Sequence, residues 1–362
     1  MIYISELLLY VCFCIVVGNQ LLAFVPADKR PTVAVPNWLI NLCIIGIALL
    51  SFSPVLKVTL IFTKEYNVGF GTIFKGILMD FNIGHAWLVT LFLCLILLLV
   101  RILKKITNDP ILEYMGAVLT FALILAFGWA SHCTASYGLK GFVPHAIHFL
   151  SVTVWIGVLF VVGWFSKNSD NWLKFLKWFS PIAFICVVTS ISAGFFLMNL
   201  LVPDYVNSWI VSYGQALLIK HLFIIPLLTF AWINGVLVKR KLNLNPNFNP
   251  IPWVRAESVM ALLVFTAMAV MGQQSTPENI AAIIKFEKPS WLFEAFYDGK
   301  IEQNMSITLG LNVVSITFAL AAVLALLLVV TMFHKKTSTF VSMLCGFLSV
   351  LFAYIAAMLS IN

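Results

Sequence analysis

"AVLTFALILAFGWASHCTASYGLKGFVPHAIHFLSVTVWIGVLFVVGWF", Ala117 to Phe165, sets two long apolar runs on either side of a turn that holds three of the chain's six histidines. A hydrocarbon core of about 30 Å takes about 20 residues of helix, and the spans built on these runs, 111–132 and 143–165, reach that length. The apolar residues show little periodicity, as expected of helices that are greasy nearly all round. The alternation of a membrane β-barrel strand is absent. Only 10% of the 362 residues are charged and 62% are hydrophobic. Soluble domains run near a quarter charged, so the chain reads as an all-α integral membrane protein, a polytopic helical bundle.

Extended along the chain, this reading predicts about ten transmembrane helices. They fall at 3–26, 38–62, 83–103, 111–132, 143–165, 179–202, 212–238, 255–273, 306–333 and 339–360. The first has no basic residues ahead of it, carries Glu6 as its first charge and lacks a small-residue cleavage pattern after it. It is expected to be a retained helix rather than a signal peptide.

The basic residues set the expected orientation. Alternate loops carry fourteen of them, among them Lys29, Arg30, Arg101, Lys104, Lys174, Arg240 and Lys336, and the remaining loops carry six. The richer set is expected in the cytoplasm, which puts both termini outside. The net charge of +8 therefore reports topology. Scattered over short loops, these charges do not make a nucleic-acid surface, and the expected surroundings are membrane lipid.

On this topology five histidines share the outer side. His85 opens the third span, His132 closes the fourth, and His145 and His148 begin the fifth. His221 lies in the outer half of the seventh, roughly 13 Å along its axis. His334 sits at the other surface beside Lys335. His145 and His148 are three apart, so one helical turn presents both imidazoles on one face. Pro144 suits a first helical position, which would place both in the opening turn. There the helix dipole disfavours imidazolium and keeps the rings in the ligand form. The short turn lets His132 supply a third nitrogen. An intramembrane ionisable residue such as His221 marks a functional site by default. Asp80 is a candidate to orient His85, and Cys133 is a candidate extra ligand. Met198, Met271 and Met305, all near outer ends, are softer donors; thioether with imidazole suits Cu(I). Each of these also has an ordinary reading, as an interfacial histidine, a small side chain or a packing filler.

Other chemistry is not encoded. No nucleotide-binding, serine-hydrolase or zinc-protease motif occurs, so an enzyme is not expected. The seven cysteines contain no CxxC pair, and those inside spans read as small apolar side chains. The long outer loop, Gln273 to Met305, contains "NIAAIIKFEKPSWLFEAFYDG" and should hold a short interfacial helix, anchoring the loop or covering a site. "FGTIFKGILM" reads the same way. Asn199, Asn234 and Asn312 are expected to bond neighbouring helices.

Three stretches carry a family resemblance: "HAIHFLSVTVWIGVLF", "YGQALLIKHLFIIPLLTFAWINGV" and "AESVMALLVFTAMAVMGQQSTP". In this order they resemble the CopD/PcoD family of copper-resistance and copper-uptake membrane proteins. The family's motif histidine matches His148, and His221 lies in the stretch after "YG". The resemblance implies copper as the bound ion, taken at the outer face of the plasma membrane and passed inward. It also implies either a separate CopC-like extracytoplasmic carrier or direct capture, since this sequence shows no fused domain of that kind. The expected organisation is 1–110 for three N-terminal helices with an outer amphipathic loop, 111–277 for a CopD-like core, 278–305 for the outer loop, and 306–362 for two final helices. His145, His148, His132 and His221 are the expected ligands, with His85 secondary. The rival reading is a b-type haem protein with His132 or His148 opposite His221. A copper-binding sensor or subunit that moves nothing is a further alternative.

Overall fold

A computed structural model describes the chain apart from Met1, Glu287, Asp298, Gln303, Asn304, Lys336 and Asn362, and apart from the side chain of Phe286. Lys336 of the basic tally and four residues of the long loop thus lie outside the described residues. Among the described residues, ten helices are long and apolar enough to cross a membrane, and no strand occurs beyond two isolated bridges. With no water in hydrocarbon, each backbone polar group must be satisfied within its own helix, and the sequence obliges. The chain divides into two compact units, Met1–Leu200 and Leu201–Asn362.

The first unit contains α1 (Ile2–Ala23), α2 (Asn37–Leu50), α3 (Ser53–Tyr66), α4 (Phe70–Asp80), α5 (Asn82–Thr107), α6 (Ile111–Trp129), α7 (His132–Tyr137), α8 (Leu139–Phe165) and α9 (Trp172–Leu201). Helices α2 and α3 divide the expected second span at Ser51–Phe52, where Pro54 begins the new helix. The amphipathic "FGTIFKGILM" forms α4, as its composition predicts.

Helix α8 is the most buried of the ten spans. Small residues admit α1 against it: a Cβ on Gly18 would lie 2.1 Å from the Gly157 carbonyl oxygen, and one on Gly157 2.5 Å from the Cys14 oxygen. Backbones this close forgo side chains and gain dispersion along their length, the usual glue of helices in lipid. Beside the crossing, Phe13 and Phe127 pack on Phe149 at 5.1 and 4.3 Å between ring centroids. Gln20 donates to the Glu113 carboxylate at 2.7 Å and to its carbonyl at 3.0 Å. Glu113 is also ion-paired with Lys104, so one carboxylate ties α1, α5 and α6 together.

The second unit contains α10 (Ser212–Trp232), α11 (Lys239–Leu244), α12 (Ile251–Met271), α13 (Ile280–Phe286), α14 (Trp291–Glu294), α15 (Val313–His334) and α16 (Thr339–Met358). A π-helical stretch, Ile233–Val238, joins α10 to α11. Helix α15 begins at Val313, later than expected, because Asn312 and Ser315 cap each other reciprocally and fix the start. Asn312 also donates to the Leu359 carbonyl at 2.6 Å, the interhelical bond expected of it. The long loop forms α13 and α14, and Phe293 of α14 is fully buried against Trp209, Ile210, Leu218, Tyr354 and Met358. That loop is part of the unit's core.

The α1–α8 crossing yields a stability prediction. Gly18→Leu must push α1 off α8, and overpacking of this kind costs about 1–3 kcal/mol or more. Gly71, with nothing within 4 Å of an added Cβ, is the control. Thermal unfolding of purified protein in detergent should show a clear loss for Gly18→Leu and little change for Gly71→Ala. Equal melting temperatures for the two variants would contradict the crossing.

Candidate functional site

The histidine-bearing turn is built by local capping. Helix α6 ends at Trp129, and Ser131 caps α7, its hydroxyl accepting from the Thr134 N–H at 3.2 Å. Thr134 Oγ1 donates back to the Gly128 carbonyl at 2.7 Å, folding α7 onto the end of α6. Gly138 then takes a positive φ of 56°, open to glycine without penalty, and the chain turns directly into α8. A Cβ on Gly141 would lie 2.0 Å from the Cys133 carbonyl oxygen, so α7 rests on the first turn of α8 backbone to backbone.

This geometry corrects two expectations. His132 does not close the fourth span; it opens α7 and is exposed. Pro144 does not begin the fifth span, because Gly138 starts the helix one and a half turns earlier and leaves Pro144 inside it. His145 and His148 therefore sit beyond the opening turn, where the dipole has faded. What fixes the tautomer of a neutral His148 ring is a specific hydrogen bond.

His148 Nδ1 lies 2.8 Å from the Ser190 carbonyl oxygen of α9. A carbonyl only accepts, so Nδ1 carries the proton and Nε2 carries the lone pair. This is the arrangement by which an outer partner orients a metal-binding imidazole. Ser190 Oγ is 3.4 Å from the same nitrogen, and the ring lies over Gly194, where a Cβ would be 3.5 Å from Cε1. His145, one turn earlier, sets its half-buried ring 5.9 Å from Phe127.

The other candidates are placed as follows. His85 Nε2 bonds the Met79 carbonyl at 2.6 Å, fastening α5 to α4; the bond goes to the residue before Asp80, whose own side chain is exposed. Cys133 is buried beneath α8. Met198 is half-buried on α9 and Met271 half-buried at the end of α12. In the second unit, His221 Nδ1 lies 2.9 Å from the Tyr205 hydroxyl, with the rings 5.5 Å apart. Burial pushes the Tyr205 pKa up to about 12, so the phenol keeps its proton. A phenol both donates and accepts, so this bond, unlike that of His148, admits either tautomer of its histidine. Among the described residues no three His, Cys, Asp or Glu side chains gather closely enough to hold a metal ion.

Residues 173–271 match the family model CopD, copper resistance protein D. This CopD-like segment is about a quarter of the chain. No curated protein and no solved structure matches the chain. The CopD segment contains Ser190, Tyr205 and His221, whereas His145 and His148 precede it. That part of the chain is similar to a family of copper-resistance proteins.

The same segment holds a group that the sequence reading passed over. Glu257, only 2% exposed, accepts from Asn234 Nδ2 at 2.8 Å, and the same amide donates to the Trp253 carbonyl at 3.1 Å. This pair joins the π-helical stretch to α12, the role expected of Asn234. Glu257 is the only acidic residue of α12, and a carboxylate inside a span was a readable signal.

Tyr205→Phe should lower stability by about 0.5–1.5 kcal/mol through loss of its bond to His221. A double-mutant cycle with His221→Ala isolates the pair. Strictly additive losses would show that the two side chains do not support each other.

Proposed function

We propose that this protein takes copper at the extracytoplasmic face of the plasma membrane and moves it across. The CopD segment supports the choice of ion. The observation that carries the site is His148, whose Nδ1 proton is committed to the Ser190 carbonyl so that Nε2 presents a lone pair. His145, three residues earlier on the same helical face, is the second imidazole of that site. His132 on the exposed turn and His85 are accessory donors for capture, with Cys133, Met198, Met271 and Asp80 in lesser roles. His221 of the second unit is a separate donor. Copper is here the cargo, so donors that exchange one at a time suit it better than a closed cage. A CopC-like extracytoplasmic carrier is the natural source of the ion, and the protein acts as a carrier rather than as an enzyme.

Orientation belongs to the same proposal and rests on the fourteen-to-six division of basic residues. Purified protein should bind a small number of copper ions, and His145→Ala with His148→Ala should remove the imidazole-bound share. Unchanged stoichiometry and affinity in that double variant would exclude the pair. A peptide tag inserted at Asn245 should be shielded from external antibody in intact cells. Labelling of that tag from outside would reverse the orientation and the direction of capture with it.

A further inference from the structure

Cys12 and Cys43 stand far apart in sequence and in no recognisable motif, yet α1 and α2 pack side by side and bring them together. Cys12 Sγ lies against the turn of α2 that begins at Cys43, so the two thiols share the seam between these helices. Cys43 is 3% exposed and Cys12 is half-buried. Gly46, one turn beyond Cys43, completes the pocket: a Cβ there would come within 3.0 Å of Cys12 Sγ, so the sulfur lies against bare backbone. Cys14, two residues on, lies about 200° round the helix from Cys12, and its backbone carbonyl meets Gly157 of α8. The α1 helix therefore presents one cysteine to the α8 crossing and the other to α2.

We propose that Cys12 and Cys43 form a two-sulfur site for Cu(I), separate from the histidines and outside the CopD segment. The donor set decides the ion. Thiolates select soft metals, Cu(I), zinc and iron–sulfur clusters among them. Structural zinc takes four ligands, and iron–sulfur clusters take four cysteines. Two sulfurs with no third His, Cys, Asp or Glu donor in reach among the described residues do not satisfy either one. A monovalent soft cation also suits the surroundings. The only charged residue in α1 is Glu6, and α2 has none, so every charge brought in must be balanced at the site. Binding breaks an Sγ–H bond and forms an Sγ–Cu bond; the proton leaves to water and no electron moves. The second sulfur adds its lone pair. The preference for copper over silver or another soft cation rests on the functional reading above; the two-sulfur site does not.

The test is a titration of the purified full-length protein with Cu(I), under reducing conditions and against a competing Cu(I) chelator. Cys12→Ser with Cys43→Ser should lose one tightly held equivalent that His145→Ala with His148→Ala retains. X-ray absorption at copper in the histidine double variant, which leaves both cysteines in place, should show sulfur neighbours. Full Cu(I) stoichiometry in the cysteine variant, or a copper spectrum without sulfur in the histidine variant, overturns the site. Loss of no copper from the histidine variant counts against the functional reading alone.

Discussion

The backbone contact between Gly18 of α1 and Gly157 of α8 governs the arrangement of the first unit. In lipid there is little hydrophobic gain from pressing two apolar helices together, so close approach must come from shape. Glycine at the crossing lets α1 lie on α8 along its length, and the aromatic side chains of Phe13, Phe127 and Phe149 fill the flank. The His145 ring then rests against Phe127 on one side. On the opposite side of α1, Cys12 is left to meet α2. One steric constraint thus positions both an imidazole pair and a thiol pair.

Within that frame, the chemistry of each histidine follows from what its first ring nitrogen touches. His148 and His85 both donate to carbonyls, which fixes their tautomers with opposite nitrogens bearing the lone pair, Nε2 in His148 and Nδ1 in His85. His221 faces a phenol and keeps both options. A fixed tautomer on a buried, packed helix makes a better-defined donor than an exposed ring such as that of His132. The proposed function gives the first metal contact to His148 for this reason, which a count of histidines could not supply.

Hydropathy is local, and for that reason the ten spans and the all-helical class were legible in the sequence. Boundaries depended on single residues. The start of α15 was readable from Asn312 and Ser315, whose spacing is that of a reciprocal cap. The start of α8 was not readable from Pro144, because Gly138 offered an earlier turn whose value lies in its contact with α7. The histidine pair could be found from its spacing, but the Ser190 carbonyl that orients His148 is a backbone atom and leaves no trace in residue type. Cys12 and Cys43, and likewise Asn234 and Glu257, meet only through helix packing. Of these four, Glu257 alone was conspicuous, as a carboxylate inside an apolar run.

In the proposed function, copper crosses the membrane by way of His148. Wild-type and His148→Ala protein, reconstituted at equal amounts into sealed lipid vesicles, can be compared for the rate at which externally added copper enters. Copper should enter with the wild-type protein, and the variant should lose most of that rate at unchanged thermal stability. Entry at the same rate in both, or no entry above protein-free vesicles in either, would contradict it.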